Sequence, residues 1–275
     1  MTPLRVEAPA KLNLALRVVG RRDDGYHELD SEFVLLDLAD RLLLLPGCSG
    51  LRVEGDVAGV PPDGANLAWR GLVAGLGGQP ELECLTLEKR IPTAAGLGGG
   101  SSDAAAAWRL GRRARGIDAP PDDEDLSTLA RLGADVPFFA SGMPAARVRG
   151  IGERVEPVPA PERHIVLVHP PFGLPTGAVF AELRPDEWGR DDNDLLSPAL
   201  RLRPELGQLL SAVRAAGGRP QLTGSGPTVF SLASDAEAAR SLAAATVRRL
   251  DGTGARVSVA RTRTQPPTIE AIEEA

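Results

Sequence analysis

Lysine is nearly missing from this chain of 275 residues: of 31 basic side chains only Lys11 and Lys89 are lysines, and the other 29 are arginines. Cysteine stops at two (Cys48 and Cys84), histidine at three and tyrosine at one. Two cysteines make neither a disulfide framework nor a zinc cluster. A chain this long can bury roughly three quarters of its extended surface, so it is expected to fold without a staple. There is no excess of positive charge. A net charge of −6 removes any global electrostatic reason to seek nucleic acid or anionic lipid. There is no long apolar run either; the candidates near Leu42–Leu45 and Ile165–Val168 stop at charges or prolines, short of the ~18–20 residues of a membrane span. The start, Met1–Lys11, has neither the basic head nor the apolar core of a signal peptide. The expectation is a cytoplasmic chain with no nucleic-acid, membrane or obligatory protein partner.

Arginine in place of lysine across a whole chain reflects a GC-rich genome more simply than heat. The bias still says something about the exceptions. Where lysine survives, the site can require a compact ammonium rather than a planar fork.

Leu12, Leu14, Leu16 and Val18 alternate with Lys11, Asn13, Ala15 and Arg17. That period of two predicts a strand with one apolar face, and it puts Lys11 and Asn13 on the other face about 6.6 Å apart. Further strands are predicted at 32–38, 41–45, 51–54 and 82–89, a helix at 66–76 closed by Gly77-Gly78, and helices at 104–110 and 124–132. The second half reads as a strand at 164–169, helices at 176–183 and 204–216, strands at 221–223 and 228–232, a helix at 235–250 and a strand at 255–261. That order, β-α-β-β-α-β with an added helix, is the ferredoxin-like plan. The Pro/Glu stretch 156–162 marks a boundary, giving units 1–155 and 156–275, and the polar tail 265–275 is expected to fray.

The densest signal is Pro92-Thr93-Ala94-Ala95-Gly96-Leu97-Gly98-Gly99-Gly100-Ser101-Ser102, lying between a predicted strand and an alanine-rich helix. Glycines let backbone N–H groups turn inward, and the helix start adds partial positive charge, so strand, glycine loop and helix make a phosphate site. A P-loop would need a lysine here and has none; a dinucleotide fingerprint would need a βαβ unit with an acidic residue about 20 positions on.

This loop resembles the nucleotide loop of the galactokinase, homoserine kinase, mevalonate kinase and phosphomevalonate kinase (GHMP) superfamily. Its third glycine before the serines is similar to the branch that acts on a cytidine-diphosphate-linked methylerythritol in the non-mevalonate isoprenoid pathway. Ala8-Pro9-Ala10-Lys11-Leu12-Asn13-Leu14, Gly25-Tyr26-His27 and Gly133-Ala134-Asp135-Val136-Pro137-Phe138-Phe139 resemble further motifs of that branch, and Leu222-Thr223-Gly224-Ser225-Gly226-Pro227-Thr228-Val229-Phe230 resembles the superfamily's C-terminal glycine motif, all in the same order.

The resemblance implies an α+β fold in two parts, a ribosomal-protein-S5-like ATP domain followed by a ferredoxin-like substrate domain. It implies an ATP-dependent kinase that phosphorylates the 2-hydroxyl of the cytidine-linked substrate, with Mg²⁺ accompanying ATP and its ligands unknown, Ser102 being one candidate. Pro92 to Ser102 would hold ATP. Asp135 would take the hydroxyl proton, with Lys11 beside it stabilising the charge; as a plain residue Asp135 could equally cap a helix. Asn13 and Thr176 would contact substrate, and Tyr26, His27 and Phe180 would grip its cytosine; Phe180 could also be core, and Tyr26-His27 a capped turn. Lys89 could face ATP phosphates or solvent, Asn66 could border the nucleotide or cap its helix, and Asp103 could cap its own. His164 and His169 read as structural.

Overall fold

The computed structural model describes residues 2–272. The first half begins with two long strands, β1 (Leu4–Arg21) and β2 (His27–Pro46), paired antiparallel along nearly their whole length. β2 absorbs two of the predicted strands, because the acidic break at Asp40 is buried and bonded, and exposed Asp37 accepts from Arg261 N–H. β3 (Gly50–Gly55) then runs parallel to β4 (Glu83–Lys89), with α1 (Leu67–Leu76) between them. Next come α2 (Gly99–Ala114), α3 (Asp123–Ala130), α4 (Val136–Ala140), β5 (Ala145–Gly150) and β6 (Arg154–Pro157). The sheet order is β3-β4-β2-β1, and β5 and β6 extend it from the first half of β2. β6 spans the boundary expected at 155/156.

The second half holds β7 (His164–His169), α5 (Thr176–Ala181), α6 (Leu196–Leu202), α7 (Leu206–Ala215), β8 (Gln221–Leu222), β9 (Val229–Ala233), α8 (Ala236–Arg249) and β10 (Arg256–Arg261). Its antiparallel sheet has the order β10-β7-β9-β8, the ferredoxin-like order expected from the element sequence. His169 is buried among Thr228 and Ser258 hydroxyls, and burial, aided by Arg256, pushes its pKa down to about 4. It is a neutral core histidine.

Two more features depart from expectation. The tail, expected to fray, instead forms β11 (Glu270–Ala271) against the start of β1, and Ile272 N–H donates to the Pro3 carbonyl; residues 273–275 lie outside the described residues. Cys48 and Cys84, in a chain expected to need no staple, are joined in a disulfide, Cα atoms 5.3 Å apart. Strand register causes this: Leu45 and Gly50 both pair with Cys84, so the turn between them brings Cys48 against it.

The two sheets share an apolar seam of Leu12, Ile91, Leu97, Ile165, Leu167 and Phe230, all essentially buried. Lys11 N–H donates to the Leu97 carbonyl at 2.9 Å, and Thr228 N–H to the Ala95 carbonyl at 3.4 Å. The glycine loop is thus sewn between the halves. No helix among the described residues is long and apolar enough to cross a membrane.

Candidate active site

Two glycines shape the loop. Gly96 has φ +75°, and a Cβ there would lie 2.5 Å from the Thr223 carbonyl oxygen; Gly98, φ +69°, is the last residue before α2 and would drive a Cβ into Phe139 at 2.9 Å. Both positions need a left-handed backbone and a bare Cα. The loop proper ends at Gly98, so Gly99, Gly100, Ser101 and Ser102 form the first turn of α2, whose free N–H groups and dipole face the cleft. Ser101 lines the cleft. Ser102 does not: it is 1% exposed and its hydroxyl has no partner among the described residues.

Lys11 and Asn13 do share a face of β1, and their side chains are bonded, Nζ donating to Oδ1 at 2.5 Å. Asn13 is anchored in turn: Nδ2 donates to Ser31 Oγ at 2.8 Å, and Thr223 Oγ is 3.4 Å from Oδ1. Lys11 Nζ lies 3.8 Å from Asp135 Oδ2 and 4.8 Å above the Phe33 ring. Burial lowers the Lys11 pKa, and Asp135 opposes that only in part. Asp135 occupies the N-cap position of α4, yet its side chain caps nothing; it is 30% exposed and turned to Lys11.

Across the cleft His27 stacks on Phe180, ring centroids 5.3 Å apart and planes 24° from parallel. Trp188 meets His27 edge-on at 6.0 Å. Burial and the neighbouring Arg21 lower the His27 pKa, so a neutral ring with one donor and one acceptor is presented. Tyr26 stands outside this stack, 62% exposed at the cleft mouth. Thr176 bonds Ser225 Oγ at 2.9 Å, tying α5 to the Gly224-Ser225-Gly226 turn. Asn66 caps α1, its Oδ1 accepting from Ala68 N–H, and it also lines the cleft. Lys89 is not left to solvent: it is 4% exposed and enclosed by Asp40 and Asp103, and it borders the cleft from beneath. Asp103 correspondingly bonds Lys89 rather than capping α2. Sequence reasoning did not single out Trp188, Arg21 or Arg131, although both arginines line the cleft. Only the neighbouring Tyr26-His27 pair hinted that an aromatic partner would be needed.

One cleft of about 1250 Å³ is lined by the glycine loop, by Lys11 and Asp135, and by His27 and Phe180. A volume above that of ordinary ligand sites suits two substrates side by side. A phosphate cradle, an ammonium–carboxylate pair and an aromatic platform in one cleft define a nucleotide-dependent phosphotransferase.

Comparison with known proteins agrees. Residues 66–143 match the GHMP kinases N terminal domain, and residues 179–259 the GHMP kinases C terminal domain. The 4-diphosphocytidyl-2-C-methyl-D-erythritol kinase of Thermus thermophilus is 43% identical over 86% of this chain and 90% of its own length. The protein of that name from Paracoccus denitrificans is 41% identical over 88% and 92%. A crystal structure of 4-(cytidine 5'-diphospho)-2C-methyl-D-erythritol kinase superposes with TM-score 0.77 at 38% identity, covering 94% of this chain and 98% of that one. Homoserine kinase from Cytophaga hutchinsonii shares the fold, with TM-score 0.69 at 19% identity. The chain is an ATP-dependent kinase of the α+β GHMP fold. Within that class it belongs to the 4-diphosphocytidyl-2-C-methyl-D-erythritol kinase family.

Proposed function

We propose that this chain transfers the γ-phosphoryl group of ATP to the 2-hydroxyl of 4-diphosphocytidyl-2-C-methyl-D-erythritol, in the cytoplasm and without an obligatory protein partner. The observation that carries the reading is the Lys11–Asp135 pair, 3.8 Å apart, in the same cleft as the glycine loop and the His27–Phe180 stack.

In this reading residues 1–155 hold ATP and supply the chemistry, with its phosphates on the loop Pro92–Gly98 and the α2 N-terminus. Residues 156–275 close over the substrate with Thr176 and Phe180. Asp135 accepts the proton as the substrate hydroxyl oxygen bonds to the γ-phosphorus, and the bond to the β–γ bridging oxygen breaks to release ADP. The Lys11 ammonium, held by Asn13, faces the negative charge that develops there. The neutral His27 ring hydrogen-bonds the cytosine edge, Phe180 stacks on it, and Tyr26 folds in from the mouth.

Mg²⁺ accompanies ATP and neutralises phosphate charge. The fit is of the sparse kind: among the described residues no cluster of three carboxylate, histidine or cysteine ligands exists, and of the side-chain oxygens lining the cleft near the α2 N-terminus those of Asp135 and Ser101 would be open to the ion, whereas Asp103 is bonded to Lys89. Magnesium commonly takes one or two protein oxygens and fills its sphere with phosphate and water.

ADP release measured with the cytidylylated methylerythritol against free mevalonate and homoserine tests the substrate. Turnover with the first alone is expected. Equal or better turnover with either free alcohol would replace this reading by that of a sibling kinase.

A further inference from the structure

The glycine loop has its ends tied together by charges that lie beneath it. Asp40 on β2 is fully buried, and its Oδ1 accepts from Arg90 N–H at 2.5 Å and Ile91 N–H at 2.8 Å, the two residues that lead into the loop. Its Oδ2 accepts from Lys89 Nζ. The same ammonium donates to Asp103 Oδ2 at 2.6 Å, on the helix that leaves the loop. A Cβ on Gly99 would sit 3.4 Å from Lys89 Nζ, so the ammonium lies directly under the first turn of α2. Asp103 Oδ1 is buried with no hydrogen-bond partner among the described residues.

We infer that Asp40, Lys89 and Asp103 form a positioning clamp that fixes the strand end before the loop against the helix after it, and so sets how well the loop holds ATP phosphates. The inference rests on ATP occupying this loop. Backbone N–H groups grip a phosphate only while they point at one spot; Lys11 and Thr228 hold the middle of the loop through the Leu97 and Ala95 carbonyls, and its two ends are held by this cluster. Surface pairing would not serve, since exposed ion pairs are weak and yielding. A pair this deeply buried is stiff, because each member is costly to leave unpartnered. A compact ammonium suits the place between β4 and a glycine turn, where a guanidinium fork would not fit.

Asp103→Ala tests the clamp. It cuts the link between Lys89 and α2, leaves Lys89 with Asp40, and continues an alanine run that favours helix. With the second substrate saturating, KM for ATP is expected to rise by about ten- to a hundredfold, kcat to stay within about threefold, and KM for the second substrate to hold. Asp103→Asn, whose amide oxygen still accepts from Lys89, should restore KM for ATP to within about threefold of the parent. A folded Asp103→Ala with the parent's KM for ATP overturns the clamp, as does a loss confined to kcat or an Asp103→Asn variant as impaired as Asp103→Ala. If Asp103→Ala does not fold, Asp103→Ser, too short to reach Lys89, is judged by the same criteria. Parent turnover separates the two levels of inference: a parent active with ATP whose variants are unchanged defeats the clamp alone, whereas a parent inactive with ATP defeats the functional reading and the clamp with it.

Discussion

Lys11 Nζ lies 3.8 Å from one partly exposed carboxylate and hydrogen-bonds a neutral amide, whereas Lys89 Nζ is enclosed by two buried carboxylates. Burial pushes both pKa values down. At Lys11 the single, looser partner Asp135 does not make up the loss, and the pKa stays lowered; at Lys89 Asp103 and Asp40 together outweigh it, and the pKa is raised. The number of carboxylates within reach thus separates the two lysines, and the proposed reaction draws on the less firmly paired one. Both survive in an arginine-rich chain because each sits against a glycine: a Cβ on Gly224 would come 3.3 Å from Lys11 Nζ, as one on Gly99 would come 3.4 Å from Lys89 Nζ.

The largest effect expected from this difference is on rate. Asp135→Asn keeps the shape of the Lys11 partner but removes its basicity, and should lower kcat by about 10²–10⁴-fold. The Asp135 side chain caps nothing, so the melting temperature should barely move. Steady-state kinetics with a thermal melt check both. Near-normal turnover would mean the pair at Lys11 is as structural as the one at Lys89.

Next in size is the converse change. Lys89→Met strands two buried carboxylates and should cost about 3–5 kcal/mol of stability, read from urea unfolding midpoints. Asp135→Asn should cost less than about 1 kcal/mol in the same experiment. Similar losses in the two variants would erase the contrast.

How much of this could be read from the sequence differs between the two sites. The period-two pattern of residues 11–18 was enough to put Lys11 and Asn13 on one face, because strand geometry is local. The glycine loop, the ferredoxin-like order and the helix caps Asn66 and Asp235 were legible for the same reason. The surroundings of Lys89 were not. Its partners lie 49 residues before it and 14 after, and a lysine at a strand end next to Arg90 looks solvated until the β2–β4 register is known. The Cys48–Cys84 bridge, the tail strand on β1 and the edge contact of Trp188 with His27 share that cause. Each joins residues at least 36 apart through strand register or loop packing, with no short-range pattern to announce it.

The smallest effect is the most discriminating, because the two lysines should give opposite slopes in alkali. Stability changes with pH in proportion to the protons bound by the unfolded chain minus those bound by the folded one, at most about 1.4 kcal/mol per pH unit per proton. Lys11 has a folded pKa below its unfolded value of 10.5. Between those two values the unfolded chain holds a proton the folded one has shed, so this lysine makes stability rise with pH until 10.5. Lys89 has a folded pKa above 10.5. Its contribution is complete below 10.5 and is lost as pH climbs through the folded value. Urea midpoints of the parent and of Lys11→Met, followed upward from about pH 8, should therefore converge or cross in the parent's favour before 10.5. The gap between the parent and Lys89→Met should stay constant there and narrow only above 10.5. A gap to Lys11→Met that widens against the parent with pH would mean that Asp135 holds Lys11 as firmly as its two carboxylates hold Lys89.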